Sequence, residues 1–171
     1  MFMATVIKNY KQLERAMNQV IKDGLADTAK EVNFVIDDFL ERWYGDYIPK
    51  QYKRTGQFLY SCVTSKVVKN GNQYKTKIFI DYRNMKHFME IPDSKGKTRP
   101  LSKAEELEIV QNANMGIHGI ETGEKGFTEF RFWDEAENYL DRKDFIVKAF
   151  YDYLVEKGFD VSIIRDGGMS F

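Results

Sequence analysis

Two patterns of apolar positions divide this chain. Within 53–82 they recur at even spacings: Leu59, Val63 and Val67 going out, then Tyr74, Ile78, Ile80 and Tyr82 coming back. Side chains two apart on a strand share a face, so each arm can bury one side and wet the other. Asn70-Gly71 between the arms supplies two residues that tolerate positive φ at the centre of a type I′ turn. The spacing predicts a β-hairpin over 57–82. A lone two-stranded ribbon is marginal in water, so the rest of the chain must supply an apolar cover.

Within 10–44 the steps are three and four instead: Leu13, Met17, Val20, Ile21, Thr28, Val32, Val35, Ile36, Phe39, Leu40 and Trp43. That is one helical stripe. Asn9 is placed as its N-cap, with Gln12 three residues on to complete a capping box. Gly24 weakens the helix locally by about 1 kcal/mol relative to Ala and marks a site for a bend or break. Gly45 serves as a stop, and Pro49 prevents a restart. At ~1.5 Å per residue such a helix is about 50 Å long, more than one small sheet needs. The surplus stripe is either folded back by a bend or turned toward another subunit.

The region 83–126 reads as a loop-rich excursion. His87, Pro92, Gly96 and Pro100 punctuate its first half, and Gly116, Gly119, Gly123 and Gly126 make 112–126 a second mobile segment. Between them Ser102 and Glu105 have capping-box spacing, which predicts a short polar helix over 103–111 burying little beyond Leu107 and Val110. Alternation returns over 127–132, predicting a strand that joins the hairpin. Asp134 is then a cap for a helix carrying Ala136, Tyr139, Leu140, Ile146, Val147, Phe150, Tyr153 and Leu154, with an irregularity at 141–144 and a stop at Gly158. A final candidate strand falls at 160–164. The fold class expected is α+β, a single domain over 1–171. A small antiparallel sheet is covered by a long N-terminal and a C-terminal helix.

Composition narrows the function. The 171 residues hold 26 Lys+Arg against 26 Asp+Glu. This balance argues against a dedicated nucleic-acid module, which needs a basic excess, but leaves room for a local basic strip. Cys62 is the one cysteine, so an intrachain disulfide is excluded, and its strand setting reads as a small buried apolar residue. The first seven residues are too short for a signal-peptide apolar region, and no apolar run approaches the ~20 residues that span a bilayer. The expectation is a soluble protein made in a reducing compartment.

Reactive groups do not converge in the sequence. His87 and His118 both lie in expected loops, where they read as exposed. A zinc site drawn from them with Cys62 and a carboxylate lacks ligand spacing. There is no phosphate-binding loop and no nucleophile elbow. Asp37-Asp38 and Glu105-Glu106 are sequence neighbours, so each pair points to different sides of a helix. Lys66, Lys69, Lys75 and Lys77 along the hairpin read as solubilising edge charges rather than a nucleic-acid patch. No catalytic residue, metal or cofactor is expected.

Arg54-Thr55-Gly56-x-Phe58-x-x-Ser61, following a long amphipathic helix, resembles the Arg-Thr-Gly-x-Leu-x-x-Ser signature of the head–tail joining, tail-completion or minor tail proteins of long-tailed phages, with Phe58 in place of Leu. Asn114-Met115-Gly116-Ile117-His118-Gly119 is similar to the glycine-rich loop that members from phages of Gram-positive hosts carry. The stretch 145–164, with Gly158, Val161 and Ile163, resembles their C-terminal part. The resemblance implies a non-catalytic virion protein that assembles into a ring at the neck or tail end. Its implied partners are copies of itself and other neck or tail proteins, with DNA only passing through the lumen and no membrane contact. Two alternatives stand beside it. One is a nucleic-acid-binding accessory protein using the hairpin lysines, the other a hydrolase or nuclease using His87 or His118 with loop carboxylates.

Overall fold

The computed structural model describes residues 7–46, 48, 56–83, 91–92, 98–99, 101–119 and 125–163. It is α+β. Helix α1 (Tyr10–Gly45) runs unbroken for 36 residues. Asn9 caps it, its side chain accepting from the Gln12 N–H, while the Gln12 side-chain Oε1 reaches past the cap to accept from the Lys8 N–H at 2.8 Å. The box is thus displaced by one residue. At the other end the Asp46 N–H closes onto the carbonyls of Arg42 and Trp43.

Gly24 does not break the helix. It is buried, and a Cβ there would lie 2.7 Å from the rings of both Phe150 and Tyr153. The missing side chain lets another helix cross α1 in close contact. From Thr28 to Trp43 the stripe is buried as the spacing predicts, at Thr28, Val32, Ile36, Phe39, Leu40 and Trp43.

The hairpin is present but built in two ladders. Strand β1 (Cys62–Thr64) pairs with β4 (Ile78–Ile80), and β2 (Val68–Asn70) pairs with β3 (Gln73–Lys75). Between the ladders hydroxyl groups join the hydrogen bonding. Ser65 Oγ accepts from the Lys77 N–H at 2.9 Å, and Thr76 Oγ1 donates to the Ser65 carbonyl at 2.8 Å. The turn lies one residue later than expected, because Asn70 pairs with Gln73 and the two loop residues are Gly71 and Asn72. Gly71 takes φ +60 while Asn72 stays negative, so glycine occupies the first central position, as a type II′ turn demands. Cys62 and Ile80 face each other toward the core, whereas Val63 stands opposite the exposed Phe79.

Beyond the hairpin come β5 (Ile91–Pro92) and β6 (Thr98–Arg99), paired with each other, and then α2 (Lys103–Asn114). Both arms of the capping box are made by Ser102 and Glu105. The helix is one turn longer than expected, and its inward residues are Glu106, Ile109, Asn112 and Ala113 rather than Leu107 and Val110, which are half-buried. The Glu106 carboxylate is held by Lys103.

Strands β7 (Ile117–Gly119) and β8 (Lys125–Phe127) form a second antiparallel hairpin, where a mobile glycine-rich segment was expected. The expected strand over 127–132 does not join the first hairpin. Phe127 ends β8, Thr128 turns back to bond the Asp46 carboxylate at 2.9 Å, and Phe132 already opens α3 (Phe132–Arg142). Arg131, not Asp134, is the N-cap residue, and Asp134 sits in the first turn where its charge favours the helix dipole. The irregularity at 141–144 is a true break: Asp144 adopts φ +48 and α4 (Phe145–Glu156) starts afresh. Residues 160–163 are irregular rather than a strand, and 164 lies outside the described residues.

The core forms where α1 meets α3, Ala113 of α2, and Phe58 and Cys62 at the start of β1. Phe132 and Leu40 are its largest fully buried side chains. Each such burial stabilises the fold by about 1.5–3 kcal/mol relative to exposure.

Candidate interaction surfaces

Of the Arg54–Ser61 motif, Phe58 belongs to the core and Ser61 is buried beside it. Arg54 and Thr55 lie outside the described residues. Gly56 takes φ +76 and starts a tight turn, its carbonyl accepting from the Tyr60 N–H. The turn drops Phe58 edge-on against Trp43, with ring centroids 5.3 Å apart, and against Phe132 at 6.2 Å. Ser61 is buried, and its hydroxyl donates to the Phe58 carbonyl at 2.6 Å while its own carbonyl accepts from the Asp81 N–H. The motif therefore fixes how the chain enters β1.

The second motif also turns inward. Gly116 adopts φ +74 and is packed so tightly on the Thr128 carbonyl that no Cβ fits. Its own carbonyl accepts from the Thr128 N–H at 2.8 Å. Two residues on, His118 is 1% exposed, with its ring laid flat on Trp43. The expectation of an exposed loop histidine is overturned, because hairpin formation swings residue 118 under the end of α1. Gly119 pairs with Lys125 at the outer end of this hairpin. His87 lies outside the described residues.

Cys62 is buried, as its strand position suggested. Burial, and secondarily the Asp37 carboxylate, push its thiol up to about 12. Asn33 organises its surroundings: the amide oxygen accepts from Thr64 Oγ1 at 3.0 Å and from the Cys62 thiol at 3.6 Å, and the amide nitrogen donates to Asp37 at 2.8 Å. Burial raises the Asp37 carboxyl above the ordinary carboxylate value, Glu41 adds to this, and the Asn33 bond opposes it. This network ties α1 to β1.

What the fold leaves outside is apolar surface on α1 and α4. The stripe that is buried from Thr28 onward continues uncovered at its N-terminal end, through Tyr10 (78% exposed), Leu13, Met17 and Ile21. Helix α4 contains no fully buried residue although it is rich in apolar side chains, and Ile146, Val147 and Val155 are about half exposed. An apolar groove of about 360 Å³ lies where β4 meets α2 and α3, lined by Ile78, Ile80, Tyr82, Leu107, Val110 and Trp133 among others. Large exposed apolar patches rimmed by polar residues mark contact surfaces.

The hairpin lysines Lys66, Lys69, Lys75 and Lys77 are all exposed. Lys69 stands over the ring of its cross-strand partner Tyr74 at 5.4 Å and so covers one face of that aromatic. Among the described residues no helix is long and apolar enough to cross a membrane, and no group of three or more His, Cys, Asp or Glu stands at metal-binding distance.

A protein-family model described as YomN matches residues 9–156, from the cap of α1 to the last residue of α4. No curated protein and no solved structure matches the chain.

Proposed function

The chain belongs to the YomN family, a name of the phage type, and on that premise we propose that it is a structural phage virion protein that assembles into a ring and joins or terminates the tail at the head–tail interface. The observation that carries this reading is the uncovered half of the α1 stripe. One continuous row of apolar residues is buried over Thr28–Trp43 and bare over Tyr10–Ile21, so the same helix serves one core inside the chain and a second that the chain alone does not complete. The apolar flank of α4 adds to that incomplete surface. In a ring each contact is head-to-tail, so different faces meet, and a protruding stripe on one copy can cover a groove on the next.

The motif residues support the same reading from the inside. Gly56, Phe58, Ser61, Gly116 and His118 all serve to hold the frame rigid, as a subunit positioning a docking helix requires. His118 is enclosed, which removes the loop exposure on which a hydrolase using His118 would depend.

The direct test is deletion of the gene in its phage, followed by electron microscopy of the induced particles. Separate heads and tails, or tails of irregular end, are expected. Complete infectious particles would overturn the assignment.

A further inference from the structure

We propose that α1 carries, on the side away from its apolar stripe, a contact ridge for the phosphodiester backbone of double-stranded DNA. At 100° per residue, Lys11, Arg15 and Lys22 fall in one line along the helix, with Asn18 between them and Lys8 just ahead of the cap. Lys8, Lys11, Arg15 and Lys22 are exposed and Asn18 half-buried, and among the described residues none of the three helical cations takes part in an ion pair. The first turn of α1 holds no acidic residue, so the positive end of the helix dipole adds to the same potential. The line from Lys11 to Lys22 spans about 16 Å at 1.5 Å per residue, the rise of about five nucleotides along one strand at 3.4 Å each.

The arrangement of the remaining charges selects DNA over an anionic bilayer. A helix lying in a membrane surface sinks its apolar face and keeps cations on the flanks, where long side chains reach the headgroups. Here the ridge lies roughly 140° around the helix from the centre of the Tyr10–Ile21 stripe, and the flanks hold Glu14 and Asp23. A bilayer covering the stripe would leave the cations on the far side. Stripe and ridge thus serve two partners, the stripe a protein and the ridge a polyanion. The neutral overall charge makes the DNA contact weak, and contact with phosphates alone makes it independent of sequence.

Ring assembly is not required for this contact, so the two readings fail separately. The test is fluorescence anisotropy of a labelled 24-bp duplex with the full chain at 20, 50, 100 and 200 mM NaCl. Three phosphate contacts give a slope of log affinity on log salt near −2.7, a loss of roughly 40-fold between 50 and 200 mM. The K11Q/R15Q/K22Q variant, with helix content checked by circular dichroism, should lose that slope. The K66Q/K69Q/K75Q/K77Q variant should keep it. Absence of binding at 20 mM salt, or an unchanged slope in the α1 variant, overturns the proposal. So does loss of slope only in the hairpin variant. Binding to vesicles of phosphatidylglycerol and phosphatidylcholine, abolished by the α1 substitutions while the duplex stays unbound, would assign the ridge to membranes instead.

Discussion

The imidazole of His118 lies parallel to the indole of Trp43, with 4.0 Å between ring centroids and 14° between planes. Trp43 is thereby closed on several sides, by His118, Phe58 and Phe132. This stack joins the β7–β8 hairpin to the C-terminal end of α1. Truncating His118 to Ala removes an aromatic ring from a fully enclosed position and leaves a cavity, at a cost of about 2–4 kcal/mol. Urea denaturation should show a clearly lower midpoint with an unchanged slope. A midpoint within error of the parent would mean that residue 118 is solvent-exposed.

Gly24 and Gly45 give opposite expectations for the same substitution. Ala is the better helix former by about 1 kcal/mol, which favours the change at both. At Gly45 nothing lies within 4 Å of the new methyl, so Gly45→Ala should be neutral or slightly stabilising. At Gly24 the methyl meets the rings of Phe150 and Tyr153 at 2.7 Å, and overpacking costs about 1–3 kcal/mol. Thermal melts should therefore place Gly24→Ala below the parent by a few degrees. A rise in Tm at position 24 would refute the close crossing of α1 and α4.

Position 116 allows less than either. An Ala there needs φ +74 and drives its Cβ into the Thr128 carbonyl, which is backbone and itself tied by the Thr128 N–H to the Gly116 carbonyl. Gly116→Ala is expected to cost more than about 3 kcal/mol, combining left-handed strain with the clash. At Gly71, φ is +60 but the space is open, so Gly71→Ala should cost about 1–2 kcal/mol from strain alone. The ranking of the two in chemical denaturation checks the placement of the second hairpin.

These residues also show where the sequence was legible. The period of the α1 stripe, the Ser102–Glu105 box and the helix break before Phe145 were readable because each rests on local spacing. The fate of 127–132 was not. Phe127, Phe130 and Phe132 look alike in an alternating string, yet Phe127 is 78% exposed, Phe130 stacks on Phe39 at 6.1 Å and Phe132 opens a helix. Their difference comes from partners distant in sequence, Thr128 with Asp46 above all. For the same reason Gly116 and Gly119 suggested a loose segment. The glycine at 116 is there for a tight approach to Thr128, and Ile117-His118-Gly119 facing Lys125-Gly126-Phe127 was the available hairpin signal. Gly24 read as a weak point of a helix for want of any view of Phe150 and Tyr153.

Asp37 makes the fold sensitive to pH in a defined direction. Its carboxyl is raised by burial first, so the protein is most stable with Asp37 protonated, below the ordinary carboxylate value, and loses that contribution as pH rises through the raised one. Replacing Asp37 by Asn removes the buried charge while an amide oxygen still accepts from Asn33. The variant should gain stability at pH 7, by under about 1 kcal/mol since the carboxylate is only partly buried, and little or none near pH 3. Cys62 behaves similarly at the alkaline end: with its thiol held up at about 12, its contribution is lost from about pH 9 upward as the unfolded chain ionises. Denaturation midpoints of parent and Asp37→Asn at acid and neutral pH test the first. Reaction of Cys62 with a thiol reagent at pH 8, slow when folded and complete in denaturant, tests the second.

The bare end of the α1 stripe separates assembly from folding. Leu13 and Met17 are exposed, so replacing both with Lys should change the stability of the isolated chain by no more than about 0.5 kcal/mol each. Lys is also nearly as good a helix former as Leu or Met, which keeps α1 intact. If this stripe is covered by a neighbouring copy, two buried charges without partners in that contact cost far more than the surface change itself. The L13K/M17K variant should therefore melt with the parent yet sediment as a monomer under conditions where the parent assembles, and it should fail to restore tail joining in a deletion phage. Assembly of the variant to the same size and at the same concentration as the parent would show that the stripe is not the contact.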